Sequence, residues 1–172
     1  MKKSKIILFL ILVLEVFTVT DVPIVYGQIT NKNLFNIKRN KNANVVMYDI
    51  RLDPNDDINK LDPIDVYWIL YDKQGQRSEI KAFEKKVYGV KVKYNTEGYY
   101  NLILKAVPDK NMKVVLLNGQ PKVLIKINNK DAYLSSVFVY ARDKVFPKIL
   151  YYTLTGIDVE NGLRVMEKVI LH

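Results

Sequence analysis

Apolar and polar positions alternate along much of this 172-residue chain, most clearly over residues 64–72. There Ile64, Val66, Trp68 and Leu70 take one side, while Asp65, Tyr67, Ile69 and Tyr71 take the other. A period of two sends successive side chains to opposite faces of a strand. Residues 45–52 alternate more loosely and end in the turn-rich run Asp53-Pro54-Asn55-Asp56-Asp57. Further strands are predicted at 90–94, 99–107, 112–117, 123–128, 132–142, 149–157 and 163–171. Clusters of Asn, Asp, Gly and Pro separate them, as at 95–98, 108–111, 128–130 and 160–162.

Asn118-Gly119 is the sharpest local signal, because both residues tolerate the positive φ of a two-residue hairpin turn. Such a turn sets Val114 opposite Val123, Met112 opposite Ile125 and Leu116 beside Pro121, all on one apolar face. Val115 opposite Lys122 and Lys113 opposite Leu124 form the mixed face, as in a sheet with one side in the core. Only residues 78–87 carry a helical pattern, with Ile80, Phe83 and Val87 at i, i+3 and i+7. The expectation is therefore an all-β fold: an antiparallel meander closing into a small barrel, or a sandwich, with one short helix near 78–87. A barrel of about eight strands holds either side chains or one small ligand. Lys91, Lys93, Lys105, Lys113, Lys122 and Lys126 on the strands argue against an outer-membrane barrel.

The N-terminal residues break with this pattern. Lys2, Lys3 and Lys5 precede an unbroken apolar run over 6–14, and Val25-Tyr26-Gly27 suits a signal peptidase. A spanning helix needs about 20 apolar residues, whereas Glu15, Asp21 and Pro23 interrupt this one. Residues 1–27 thus read as a signal peptide, with an uncleaved anchor as the alternative, and 28–172 as a single β-rich domain in the periplasm or outside the cell. The segment holds three of the 27 basic and two of the 18 acidic residues, leaving 24 and 16 and a net charge of +8. Cysteine is absent, so stability must come from an apolar core.

The same composition limits the chemistry. The single histidine is His172, so Ser–His and Cys–His triads and zinc sites built on His or Cys lack their parts. No Gly-rich phosphate loop occurs, and no cofactor or metal is expected. Asp53, Asn55 and Asp57 begin like a calcium loop, but Ile58 and Ile64 stand where its glycine and bidentate glutamate belong. Pairs of Asp and Glu for general acid–base work stay open. Aromatic residues are the richer source, since tyrosine on a strand face either packs or lines a ligand cavity. Tyr67, Trp68, Tyr88 and Tyr133 are the candidate aromatic contacts, with Arg39 as the anion partner because its guanidinium bonds bidentately.

Several blocks resemble one exported bacterial family. They are Asn33-Leu34-Phe35-Asn36-Ile37-Lys38-Arg39 with Asn42 and Asn44, Pro63-Ile64-Asp65-Val66-Tyr67-Trp68-Ile69-Leu70, and Tyr88-Gly89-Val90-Lys91-Val92. Ile127-Asn128-Asn129-Lys130-Asp131-Ala132-Tyr133-Leu134 and Gly156, Asp158 and Gly162 continue the likeness over about 33–169. The family is domain of unknown function 4833, and the resemblance implies export and one compact domain but no activity. The reading is an exported, non-enzymatic cell-envelope protein that binds a small molecule, envelope polymer or protein, and not nucleic acid. The alternatives are an envelope hydrolase using Asp/Glu carboxylates and a basic protein in peripheral contact with anionic membrane surfaces.

Overall fold

The computed structural model describes residues 32–171 apart from Asp56, 96–98 and 143–147; the expected signal peptide therefore lies outside the described residues. Eleven strands join one hydrogen-bonded sheet. The first four are β1 (Asn33–Arg39), β2 (Val45–Ile50), β3 (Ile64–Leu70) and β4 (Gln76–Glu79), each antiparallel to its sequence neighbour. A single turn of helix, α1 (Lys85–Tyr88), leads to the rest. These are β5 (Val90–Tyr94), β6 (Tyr100–Leu104), β7 (Val107–Leu117), β8 (Gln120–Ile127), β9 (Lys130–Arg142), β10 (Lys148–Asp158) and β11 (Arg164–Ile170), again each antiparallel to the next.

Two meanders are thus joined at β9. On one edge β9 pairs with β10 from Ala132 to Arg142. On its other edge Lys130–Tyr133 pairs with β8, and Ser136–Val139 pairs in parallel with β1. One long strand therefore serves both meanders, and a single apolar core takes side chains from both, including Phe35, Ile37, Tyr48, Leu102, Met112, Val123 and Leu154. Phe35 and Tyr48 stack with ring centroids 4.4 Å apart. The Tyr48 hydroxyl donates to the Tyr88 carbonyl at 2.7 Å and ties α1 to the first meander. Burial, reinforced by Tyr88, pushes the Tyr48 phenol well above its ordinary pKa, so it stays a donor.

The all-β expectation with one short helix matches the structure, and the meander describes each half. Closure is looser than in a barrel, since β4 and β5 end the strand path without pairing to each other among the described residues. Side chains do part of that work in the second meander. Lys110 on β7 donates to Glu167 on β11 at 2.7 Å, and Glu167 accepts from the backbone N–H of Asn128 at 2.9 Å. The Asn118-Gly119 hairpin has the expected register, with Val114 opposite Val123 and Lys113 opposite Leu124, and positive φ at both turn residues.

Three local readings need correction. The helix expected at 78–87 is confined to Lys85–Tyr88, because Gln76–Glu79 pairs with β3 instead. An isolated ten-residue helix is marginal, and the open edge of β3 offers backbone partners. Ile80 stays buried, but Phe83 is 66% exposed. The turn expected at 108–111 moves to Lys105 and Ala106, and residues 108–111 form an irregular stretch within β7, where a proline is tolerated. Strand β1 is not announced by the pattern, its apolar residues being punctuated by Asn33, Asn36 and Lys38. Pro54 and Asn55 lie in a turn, and Asp53 Oδ1 accepts from the N–H groups of Asn55 and Asp57 at 2.8 and 3.1 Å. Among the described residues no helix is long and apolar enough to cross a membrane.

Gly156 marks a tight point of this architecture. A Cβ there would meet the Tyr133 carbonyl at 2.7 Å and Ile127 Cδ1 at 2.9 Å, beside the irregular pairing of β9 and β10. The obstacle is backbone in a close-packed interior and cannot swing aside. Gly156→Ala is expected to cost about 1–3 kcal/mol in urea unfolding monitored by far-UV circular dichroism.

Candidate functional site

Strand alternation delivers Arg39 to the site. Phe35 and Ile37 point from β1 into the core, and Arg39 follows two residues later on the same face, where the core runs out. Ile37 sits opposite Val46, and Val46 opposite Trp68, so Trp68 shares that face from β3. Tyr88 arrives from α1. The guanidinium carbon of Arg39 lies 4.7 Å from the Trp68 ring centroid and 5.8 Å from that of Tyr88. Trp68 and Tyr88 meet edge to face at 5.2 Å. Arg39 Nη1 donates to the Tyr88 hydroxyl at 3.0 Å and Nη2 to Asn42 Oδ1 at 3.4 Å.

Neither acceptor carries charge, and no carboxylate among the described residues pairs with Arg39; its Nε is buried without a partner. The cation rests on ring faces, an attraction of about 0.5–2 kcal/mol that leaves a net positive charge in place. Beside it opens a groove of about 330 Å³. Val87, Tyr88, Ala106, Val139 and Ile149 supply its apolar walls, and Glu84 lies at its side. The Glu84 carboxylate is already engaged, accepting from the backbone N–H of Lys81 at 2.8 Å.

Three of the five expected contacts, Arg39, Trp68 and Tyr88, therefore come together. Tyr67 does not join them, because neighbouring residues of a strand face opposite ways. Its hydroxyl donates to Asp49 Oδ2 at 2.7 Å, and burial followed by that bond raises its pKa. The Arg77 guanidinium covers the Tyr67 ring at 3.7 Å, and Asn33 Nδ2 donates to Asp49 Oδ1 at 2.8 Å. Tyr133 stands on the second meander between Leu124 and Ile157, away from Arg39. Sequence reasoning misses Val87, Val139 and Ile149 as groove walls and Asn42 as a partner of Arg39, since no local pattern announces which loop or strand end borders a groove. No cluster of three or more potential metal ligands occurs among the described residues.

Comparison with known proteins gives one match. A family model described as "Domain of unknown function (DUF4833)" matches residues 35–168. The chain belongs to this family. Neither a curated protein nor a solved structure matches the chain. The DUF4833 match includes every residue of the Arg39–Trp68–Tyr88 stack and lies within the span of about 33–169 over which the resemblance runs.

Among the described residues of this DUF4833 chain, the carboxyl groups that shift do so in one direction. Partial burial pushes Asp65 upward, but hydrogen bonds from Arg77 at 2.8 Å and Arg51 at 3.1 Å outweigh it and hold the group below its ordinary value. For Glu167, burial again opposes, and Lys110 and the Asn128 N–H prevail. Asp158 is lowered chiefly by the Glu160 N–H, against burial, with Lys130 assisting. A depressed folded-state pKa contributes stability above the unfolded value near 4, which is lost as pH falls through the folded value. Acid titration is therefore expected to destabilise the domain below about pH 4. Asp65→Asn should cost about 1–2 kcal/mol at pH 7 and flatten that acid limb, as checked by thermal unfolding between pH 2.5 and 7.

Proposed function

We propose that this DUF4833 protein is an exported, non-enzymatic binding protein of the cell envelope, whose groove beside Arg39 takes a small amphipathic ligand with an anionic head. The observation that carries the reading is the guanidinium of Arg39, held on Trp68 and Tyr88 without a counter-ion at the edge of an apolar groove. A ligand carboxylate or phosphate supplies the missing charge, and its hydrocarbon part covers Val87, Val139 and Ile149. Export rests on the lysines, apolar run and small-residue end of 1–27.

The hydrolase alternative asks for a carboxyl with a raised pKa to act as general acid. Asp65, Asp158 and Glu167 are lowered, each by donors that keep it ionised. That chemistry serves structure better than proton transfer.

Trp68 is the only tryptophan in the chain and touches Arg39, so its fluorescence reports on the groove. Dodecanoate is expected to shift Trp68 emission saturably, and dodecanol at equal concentration to bind at least about tenfold more weakly. Arg39→Gln should abolish the preference for dodecanoate, while Arg39→Lys retains part of it. Equal binding of the acid and the alcohol by the unmodified protein would sink the anion-headed reading. Separately, N-terminal sequencing of protein recovered from its producing cells is expected to start near Gln28; a start at Met1 would instead indicate a retained segment.

A further inference from the structure

The hairpin between β7 and β8 extends past the core as a two-sided apolar wedge. Leu116, opposite Pro121, continues the core face, and Leu117, opposite Gln120, lies on the other face. Their exposures are 66% and 38%, although Val114 and Val123 one step back are buried. Leu116 is thus mostly open to solvent and Leu117 partly so.

The residues behind the wedge are layered by polarity. Counting along the strands at about 3.4 Å per residue, Tyr94 and Tyr100 sit about 7 Å behind Leu116, in the cross-strand row Tyr94–Tyr100–Val114–Val123. Tyr94 is 56% exposed and packs against Tyr100 with ring centroids 5.0 Å apart. One row further back, about 10 Å from Leu116, come Lys93 and Lys113 with Asn101 between them, and Lys122 flanks the wedge opposite Val115. Among the described residues none of Lys93, Lys113 and Lys122 forms an ion pair, unlike Lys110, Lys126 and Lys130. Lys113 Nζ stands 4.7 Å from the Tyr99 ring centroid.

We infer that this end of the molecule docks on an anionic lipid surface. Exposed Leu116 and Leu117 beside the Asn118-Gly119 turn, exposed Tyr94 behind them, and Lys93 and Lys113 behind Tyr94 follow the order of a bilayer interface (acyl boundary, glycerol region, phosphates), with Lys122 at the flank. An interfacial element buries its apolar part about 5–10 Å into that boundary, which is the depth between Leu116 and the lysine row. Basic residues near an anionic leaflet contribute attraction screened by salt. Charge alone also suits a soluble acidic polymer, but a polymer gives two exposed leucines nothing to enter; the apolar tip selects the lipid. The Arg39 groove borders Ala106 at the opposite end of β7, so this surface does not rest on the proposed ligand there.

The test is co-sedimentation with phosphatidylcholine vesicles, with and without about one-third phosphatidylglycerol, across a salt series. Protein is used as recovered from its producing cells, with the same N-terminus confirmed in every variant. Binding to the anionic vesicles is expected to exceed binding to neutral ones by at least about tenfold at low salt. L116S/L117S should lower it by about tenfold or more without changing the thermal midpoint or the Trp68 response to dodecanoate. K93Q/K113Q/K122Q should erase the preference for phosphatidylglycerol. Equal partition of the unmodified protein onto both vesicle types overturns the inference. So does full retention of vesicle binding by L116S/L117S, or capture by dextran sulfate of wild type and leucine variant alike while vesicles bind neither.

Discussion

The pairing of β1 with β9 is the contact on which the remaining structure depends. It is the only parallel pairing among the described strands, and it sets Asn36, Ile37, Lys38 and Arg39 beside Ser136, Val137, Phe138 and Val139. Without it the first meander would be a four-stranded ribbon with little to bury against. With it, β9 holds β8 and β1 on one edge and β10 on the other, and the buried faces of both meanders meet. A register slip of one residue here would exchange the two faces of β1, sending Phe35 and Ile37 outward and Arg39 away from Trp68. The same pairing that completes the core therefore aims the cation.

Two arginine clusters show opposite electrostatic designs on the faces of one meander. Arg51 and Arg77 converge on Asp65, Arg77 also covers Tyr67, and Tyr67 bonds Asp49; each charge has its complement. That network is closed, and its worth is structural. Arg39 is held just as firmly, by Trp68, Tyr88 and Asn42, but by groups that orient it without neutralising it. Desolvating a cation without a counter-ion is unfavourable. The arrangement persists because ring faces recover part of that energy and the groove keeps one side open.

What is legible in the sequence follows how local each cause is. The Asn118-Gly119 hairpin and its register can be read because both turn residues and the flanking alternation lie within a dozen positions. The alternation in β3 by itself puts Tyr67 and Trp68 on opposite faces, although both stand among the candidate contacts. Strand β1 is opaque because its partner β9 lies about a hundred residues away, and three polar residues mask its apolar face. The 78–87 segment misleads for a related reason: its periodicity is real, but the open edge of β3 competes for its first residues. Arg39 carries one usable sign, a charge at the position where the Phe35–Ile37 face continues.

The groove itself is a consequence of incomplete closure. The sheet path ends at β4 and β5, and a ladder between them would have made a closed barrel filled with side chains. Instead the chain crosses from one end to the other through α1, and closure falls to Tyr88: its carbonyl accepts from Tyr48, its ring meets Trp68 and its hydroxyl accepts from Arg39. Such point contacts hold the segment in place without sealing the space beneath it. Val87 is left over the ends of β1, β9 and β10 with a gap between, and that gap is the groove. A continuous strand in place of α1 would stabilise the sheet and remove the cavity. The break in β-structure at 80–89 is therefore the feature that opens the groove.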